Sequence, residues 1–226
     1  MRNFIFHADS IIPGLMFIDF ARANIQARYH LLTSSVVPRP IAWVSSMSKE
    51  GKANLAPFSF FNAVCSEPPI VVFCPGVKAL QKADESMEFV EKDTLRNIKE
   101  QGQFVINVVN FDMAEKMNAT SGDYPPEVDE FRACGLTTVP SQMVLPLGVK
   151  ESPVRLECRL YQHIAVGEGL GSGNMILGEV LCMHIDDAIL DSKSRIDSQA
   201  LDAIGRLGGN FYTRTRDIFS LTRPSL

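Results

Sequence analysis

The apolar positions of this chain gather into extended runs rather than helical stripes. Residues 41–46, 56–64, 70–74, 104–109, 154–166 and 175–185 are rich in β-branched and aromatic side chains, the composition of pleated, half-buried strands. Helical signals interrupt them over 19–32, over 94–100 with Gly102 to close, over 113–118, and over 130–134 with Gly135 to close. A glycine just past a helix supplies the left-handed turn that ends it. Strands dominate, with helices over the ends, so a mostly β fold of barrel or sandwich type is expected. No internal repeat, low-complexity tract or Ser/Gly linker divides the chain, and residues 1–226 are expected to form one domain, about the first 28 of them an N-terminal extension.

Residues 37–62, VPRPIAWVSSMSKEGKANLAPFSFFN, carry the most specific pattern. Pro38 and Pro40 hold the chain extended on either side of Arg39, because proline fixes its own φ and biases the residue before it away from helix. Residues 41–47 then read as a strand, SKEGK as a turn, and 53–62 as the second arm of a hairpin. Pro57 interrupts that arm and cannot donate to a ladder, which puts the arm at a sheet edge or bulge where backbone amides can face a ligand. In the first arm, alternation sets Ala42, Val44 and Ser46 on one face and Trp43 and Ser45 on the other.

A second, longer hairpin is expected from 154–166 and 175–185, joined by GEGLGSGN. Its glycines, Gly167, Gly169, Gly171 and Gly173, never satisfy GxGxxG. The residues after them alternate and branch like a strand, so a dinucleotide-binding helix turn is excluded.

Composition narrows the function classes. With 226 residues, 46% of them hydrophobic, the chain can bury a full core. The formal net charge of -4 argues against nucleic acid or an anionic membrane surface as a partner. The early run SIIPGLMFIDF is short, broken by Pro13 and Gly14 and ended by Asp19, so it is neither a membrane span nor a signal peptide, and a cytoplasmic protein is expected. Cys65, Cys74, Cys134, Cys158 and Cys182 form no CxxC pair and suit a reducing compartment as buried, inert thiols. His7, His30, His163 and His184 lack HExxH or zinc-ligand spacing, and no metal is expected. His184 reads as a hydrogen-bonded histidine rather than a proton donor.

VPRPIAWVSS, NLAPFSFFN, KDTLRNI, FVINVV, ILGEV and RLGGNFY follow one another in an order and approximate spacing that resembles the flavin reductase-like FMN-binding split-barrel family, which includes flavoredoxin and the reductase components of two-component monooxygenases. The resemblance runs from about Tyr29 to Tyr212 and implies a six-stranded antiparallel split barrel of Greek-key type. It also implies FMN at the barrel rim and a homodimer with both flavin sites at the subunit interface.

Carried onto this sequence, the resemblance puts the backbone of Leu55 and the side chains of Asn54 and Ser59 around the flavin ring, with Ala56, Pro57 and Phe58 as its close wall. Donors placed there favour the negative charge that two-electron reduction leaves near N1 and the C2 carbonyl. Trp43, Val44, Ser45 and Ser46 would lie on the strand beside the flavin, although a lone tryptophan in a strand also serves as a core anchor. Lys92, Asp93 and Thr94 would meet the phosphate at a helix start capped by Asp93. Arg39 is a second cation for it, or the partner of an interface carboxylate. Arg206 and Tyr212 belong to a tail that closes over the flavin, or else form an ion pair and a packed ring. One departure stands out: where many relatives have a histidine shortly before the GEV strand, this chain has Gly173, Asn174 and Met175.

The activity implied is NAD(P)H-dependent reduction of FMN, with NADH or NADPH as co-substrate and hydride passing from nicotinamide C4 to flavin N5. No side-chain base is required. A monooxygenase or another acceptor would consume the electrons. Two alternatives stay open: a flavoredoxin-like electron carrier serving a protein partner, and a split-barrel module that binds a planar ligand without turnover.

Overall fold

The computed structural model describes residues 14–81 and 85–224. His7, the start of the early apolar run and the first part of the N-terminal extension lie outside the described residues. The chain opens with α1 (Ile25–Ser35), then β1 (Ala42–Met47), β2 (Ala53–Phe58), β3 (Phe61–Ser66), β4 (Pro69–Phe73), β5 (Val77–Gln81) and β6 (Met87–Glu91). After α2 (Asp93–Gln101) come β7 (Gln103–Val108), α3 (Ala114–Ala119) and α4 (Glu130–Ala133), then the short β8 (Thr138–Val139) and β9 (Gly148–Val149). The long strands β10 (Val154–Val166) and β11 (Gly173–Ile185) follow, with α5 (Ser198–Leu201), β12 (Ile204–Arg206) and β13 (Tyr212–Arg214) at the end.

The main sheet has seven strands in the order β2-β1-β7-β10-β11-β4-β3, and every neighbouring pair is antiparallel. Its two edges, β2 and β3, are consecutive in sequence and separated only by Ser59 and Phe60. A two-residue link can join opposite edges only if the sheet curls round until they nearly meet, so the topology itself produces a barrel.

The strand count differs from the six expected because the second arm of the first hairpin, read as one run over 53–62, divides. Phe58 turns into the core at 6% exposure while Phe60 stays 44% exposed. The chain breaks between them, pairs β2 with β1, and sends β3 to β4 instead. The first helix also starts later than expected. Asp19 accepts the N–H of Ala21 in a turn, and Asn24 caps α1 through the N–H of Ala27 at 2.8 Å.

Two cores follow from the alternation along β1. Ala42 and Val44 face the barrel interior with Phe58, Phe73, Phe104, Ile106, Leu156 and Ile176, while Leu95 and Ile98 of α2 seal one end. On the opposite face, Trp43 packs with Leu55, Met117, Phe131, Leu136 and Val149 under α3 and α4. Two bulges, between Glu157 and Cys158 and between Leu160 and Gln162, bend the β10–β11 hairpin, and its far end runs beyond its pairing with β7. Among the described residues no helix is long and apolar enough to cross a membrane.

Candidate functional site

The start of α2 meets the β1–β2 edge through a buried polar network. Lys92 holds an extended backbone before the helix, and Gly102 ends it at φ 68° with its N–H on Ile98 O. Leu95 and Ile98 anchor the helix in the barrel, which leaves Thr94 and Asn97, three residues apart and 1% and 2% exposed, aimed at the strands. Asn54 Nδ2 donates to Thr94 Oγ1 at 2.9 Å and to Ser46 Oγ at 3.3 Å. Asn97 Nδ2 donates to the same Ser46 oxygen at 3.2 Å, while its own buried Oδ1 finds no partner among the described residues. These bonds fix the helix start against β2.

A cavity of about 110 Å³ opens beside this network. Its walls are Asn54, Ala56 and Pro57 of β2, Lys78 of β5, Lys92 to Thr94, the turn from Thr120 to Tyr124, and Glu130 of α4. The first-turn amides of a helix and nearby ammonium groups favour an anion. Lys92 Nζ also stands 5.7 Å from the centre of the Phe58 ring. Asp93 departs from its expected role: it is the first helical residue rather than the cap, and its carboxylate pairs with Arg96. The β2 edge departs too. Glu130 Oε2 accepts the outward N–H of Leu55 at 3.0 Å and Pro57 has none to offer, so no amide is left free at either residue. Burial pushes the Glu130 carboxyl above its usual range, and the charges of Asp129 and Asp93 add to the effect against its two backbone hydrogen bonds.

A second group of expected residues assembles elsewhere. Arg39, 6% exposed, gives its guanidinium to the carbonyls of Thr33, Val36 and Leu207, with Ser59 Oγ 3.5 Å from Nε. It is a clamp between α1, β12 and the β2–β3 link, its guanidinium engaged by main-chain carbonyls within the chain. Its backbone pairs with that of Arg206, whose side chain lies over the Tyr212 ring, bonds its hydroxyl and donates to Gly209 O. Phe60, beside Ser59, lines a larger groove of about 1330 Å³ with Ile25, Tyr29, Leu32, Val166 and Leu170.

Four expected contacts lie in the interior. Trp43, Val44, Ser45 and Leu55 are all 0% exposed. Trp43 Nε1 donates to Thr120 Oγ1 at 2.9 Å, so the ring is a core anchor with its polar edge satisfied. Ser45 Oγ donates to Leu147 O at 2.5 Å, which leaves Ser46 as the serine that joins the site network.

Sequence reasoning missed Lys78, Asn97, Glu130 and the turn from Thr120 to Tyr124. Only Asn97 carried a local signal, since it lies one turn after Thr94 on the same helix. Glu157, Cys182 and His184 also come together, their ligand atoms within 4.8 Å. Both Glu157 oxygens are already engaged, by the N–H groups of Gln142, Met143 and Val144 and by His184 Nε2 at 2.6 Å. Burial pushes the Cys158 thiol far up, and that of Cys182 up as well, whereas Cys65 is exposed, contrary to expectation.

The curled antiparallel sheet with an anion-compatible cavity at its rim defines a class, and the comparisons agree with it. Residues 33–198 match the flavin reductase like domain, and the chain belongs to that family. An uncharacterised protein of Deinococcus radiodurans is 42% identical over 91% of this chain and 88% of its own. Nitrilotriacetate monooxygenase component B from Bacillus cereus superposes with a TM-score of 0.82 at 31% identity, covering 93% of this chain and 100% of that one. The 2-nitrobenzoate 2-nitroreductase of Pseudomonas fluorescens gives 0.79 at 33% identity, over 93% and 97%.

Proposed function

We propose that this protein is an NAD(P)H-dependent flavin reductase that uses FMN and works as a homodimer. The observation that carries the reading is the junction of β2 with the start of α2, where Asn54, Thr94, Lys92 and Lys78 converge on one cavity beside the Ala56–Pro57 wall. The residues fit the group at the helix start, where first-turn amides and the ammonium groups of Lys78 and Lys92 can meet a phosphoryl anion despite the nearby carboxylates of Asp93, Asp123 and Glu130, and along the proline-broken edge, which presents a flat apolar wall with no ladder donors to desolvate. Bound FMN would supply the two-electron chemistry that the side chains of this site lack. Lys78, Lys92 and Thr94 would hold its phosphate end, with Asn54 fixing Thr94 from β2, and the ring would lie against Ala56 and Pro57. The larger groove past Phe60 has room and apolar walls for a nicotinamide to align and for water to be excluded. The relative described as a monooxygenase component B supports transfer of the electrons to a monooxygenase partner.

Absorbance spectroscopy tests the reading. FMN added to the protein is expected to bind and to bleach on addition of NADH or NADPH. Asn54→Ala and Thr94→Ala are expected to weaken FMN binding by about tenfold each, the loss of one hydrogen bond at the phosphate or of the one that fixes Thr94. Flavin that binds but does not bleach would leave an electron carrier in place of a reductase. Unchanged FMN titrations in both folded variants would reject the placement.

A further inference from the structure

Glu130 occupies the point where the β2 edge, the start of α2 and the cavity meet. It lines the 110 Å³ cavity and also a neighbouring one of about 20 Å³ that it shares with Asn54, Asp93, Arg96 and Asn97. The residue is 9% exposed. One carboxylate oxygen holds the Leu55 N–H at 3.0 Å, and the carboxyl is also met by the backbone N–H of Glu130 itself, with no cationic side chain paired to it among the described residues.

The charges around the cavity do not favour an anion as they stand. Lys78 and Lys92 face Asp93, Asp123 and Glu130, two cations against three carboxylates. Asp93 is tied to Arg96 of its own helix, and Asp123 lies 3.7 Å from Lys78, which lowers the charge that lysine can offer. From the remaining neighbours, α4 contributes Asp129, the turn before it Tyr124, and the β1–β2 turn Lys52. Glu130 is the carboxylate here without a cationic partner among the described residues, and it is the most buried of the three in the cavity wall.

We propose that a phosphoryl anion enters this cavity together with one proton, taken up by Glu130, so that Glu130 sets how strongly the cavity distinguishes a phosphorylated ligand from an uncharged one. The inference rests on the flavin reading above. The balance is simple: the ionised carboxylate, one proton and the phosphoryl dianion give a neutral carboxyl beside the bound dianion. The neutral carboxyl keeps one oxygen on Leu55 N–H and turns its O–H toward the anion, which replaces a like-charge contact with a charge-assisted hydrogen bond. The free carboxyl already lies above its ordinary range, and a bound anion raises it further. Affinity for the anion therefore falls as pH rises between those two values and levels off outside them.

Calorimetric titration of the full chain with FMN, in two buffers of different ionisation heat, reads the proton directly. Riboflavin serves as the ligand without a phosphate, and Glu130→Gln as the variant that cannot take up the proton yet can still accept the Leu55 N–H. The phosphate's own second ionisation, near pH 6, is common to both proteins and divides out of the comparison. The wild type is expected to take up protons with FMN across the pH range where the free carboxyl is ionised and the anion-bound one is not, and to take up none with riboflavin. Its FMN affinity should fall relative to Glu130→Gln by up to about tenfold per pH unit. Glu130→Gln should bind FMN on the order of tenfold more tightly at neutral pH, with riboflavin affinity unchanged. FMN binding with no proton uptake, or with equal uptake in the variant, overturns the inference and leaves the flavin reading standing. If the variant does not fold, the difference in uptake between FMN and riboflavin in the wild type decides. Failure of both flavins to bind at any pH overturns the flavin reading and this inference together.

Discussion

A buried carboxylate needs donors on both oxygens, and Glu157, 1% exposed, has them from a segment with little regular structure of its own. The N–H groups of Gln142, Met143 and Val144 and the ring of His184 converge on it, which staples the stretch between β8 and β9 to the outside of β10. Burial alone would raise this carboxyl, yet the Gln142 N–H, the His184 ring and the Met143 N–H hold it below its usual range. A depressed folded value contributes stability that is present above the unfolded value near 4.3 and is lost as pH falls through the folded one. Glu157→Gln is therefore expected to cost about 3 kcal/mol in urea unfolding at pH 7, with the gap to wild type closing in strong acid. A gap that stays constant with pH would mean the charge contributes nothing. Arg39 poses the complementary case, a buried cation satisfied by carbonyls. Arg39→Ala is expected to destabilise the fold by about 2–3 kcal/mol while FMN affinity changes less than it does in Thr94→Ala; the reverse ranking would return Arg39 to the phosphate.

Elements in this chain are placed by a few close approaches. A Cβ on Gly178 of β11 would lie 2.3 Å from Phe104 Cζ, so the ring of β7 fills the space that any other residue there would need. Gly178→Ala should cost about 1–3 kcal/mol in thermal unfolding, and adding Phe104→Leu should recover part of it, since both act on one contact. The ILGEV pattern announced a strand but could not announce this glycine's purpose, because Phe104 lies in another strand. The same distinction runs through the whole reading. Alternation along β1 was local, and it sorted Ala42 and Val44 from Trp43 into the two cores as expected. The helix closed by Gly102 was equally legible, because its cap and its Leu95 and Ile98 stripe lie within one short segment. What the sequence hid was non-local. The break between Phe58 and Phe60 depends on which partner each half finds across the sheet, and the bond from Leu55 to Glu130 joins residues 75 positions apart. Lys78 reaches the cavity from β5, and no sequence pattern around it marks it as different from the chain's other lysines.

At the scale of the molecule, curling brings β2 and β3 together and leaves the far end of the β10–β11 hairpin outside the barrel. That end is apolar where a free arm would be polar: Tyr161 is 58% exposed, Val166 51% and Leu170 56%, with Val64 of β3 at 53% and Phe60 at 44%. β3 is also an edge strand, with one row of backbone groups unpaired by the sheet. Apolar side chains scattered singly over a surface need no partner, but a set that spans one hairpin end and the adjacent sheet edge and borders the large groove marks a contact face. A second copy of this chain is the occupant that the proposed homodimer requires, and it would seal the groove past Phe60 from water, as alignment of two rings demands. Sedimentation velocity is expected to give a dimer at micromolar concentration. Val166→Glu should shift it to monomer and slow bleaching by NADH or NADPH, while binding of FMN at the α2 end weakens far less. A monomeric wild type that bleaches at full rate would show that one subunit completes the site alone.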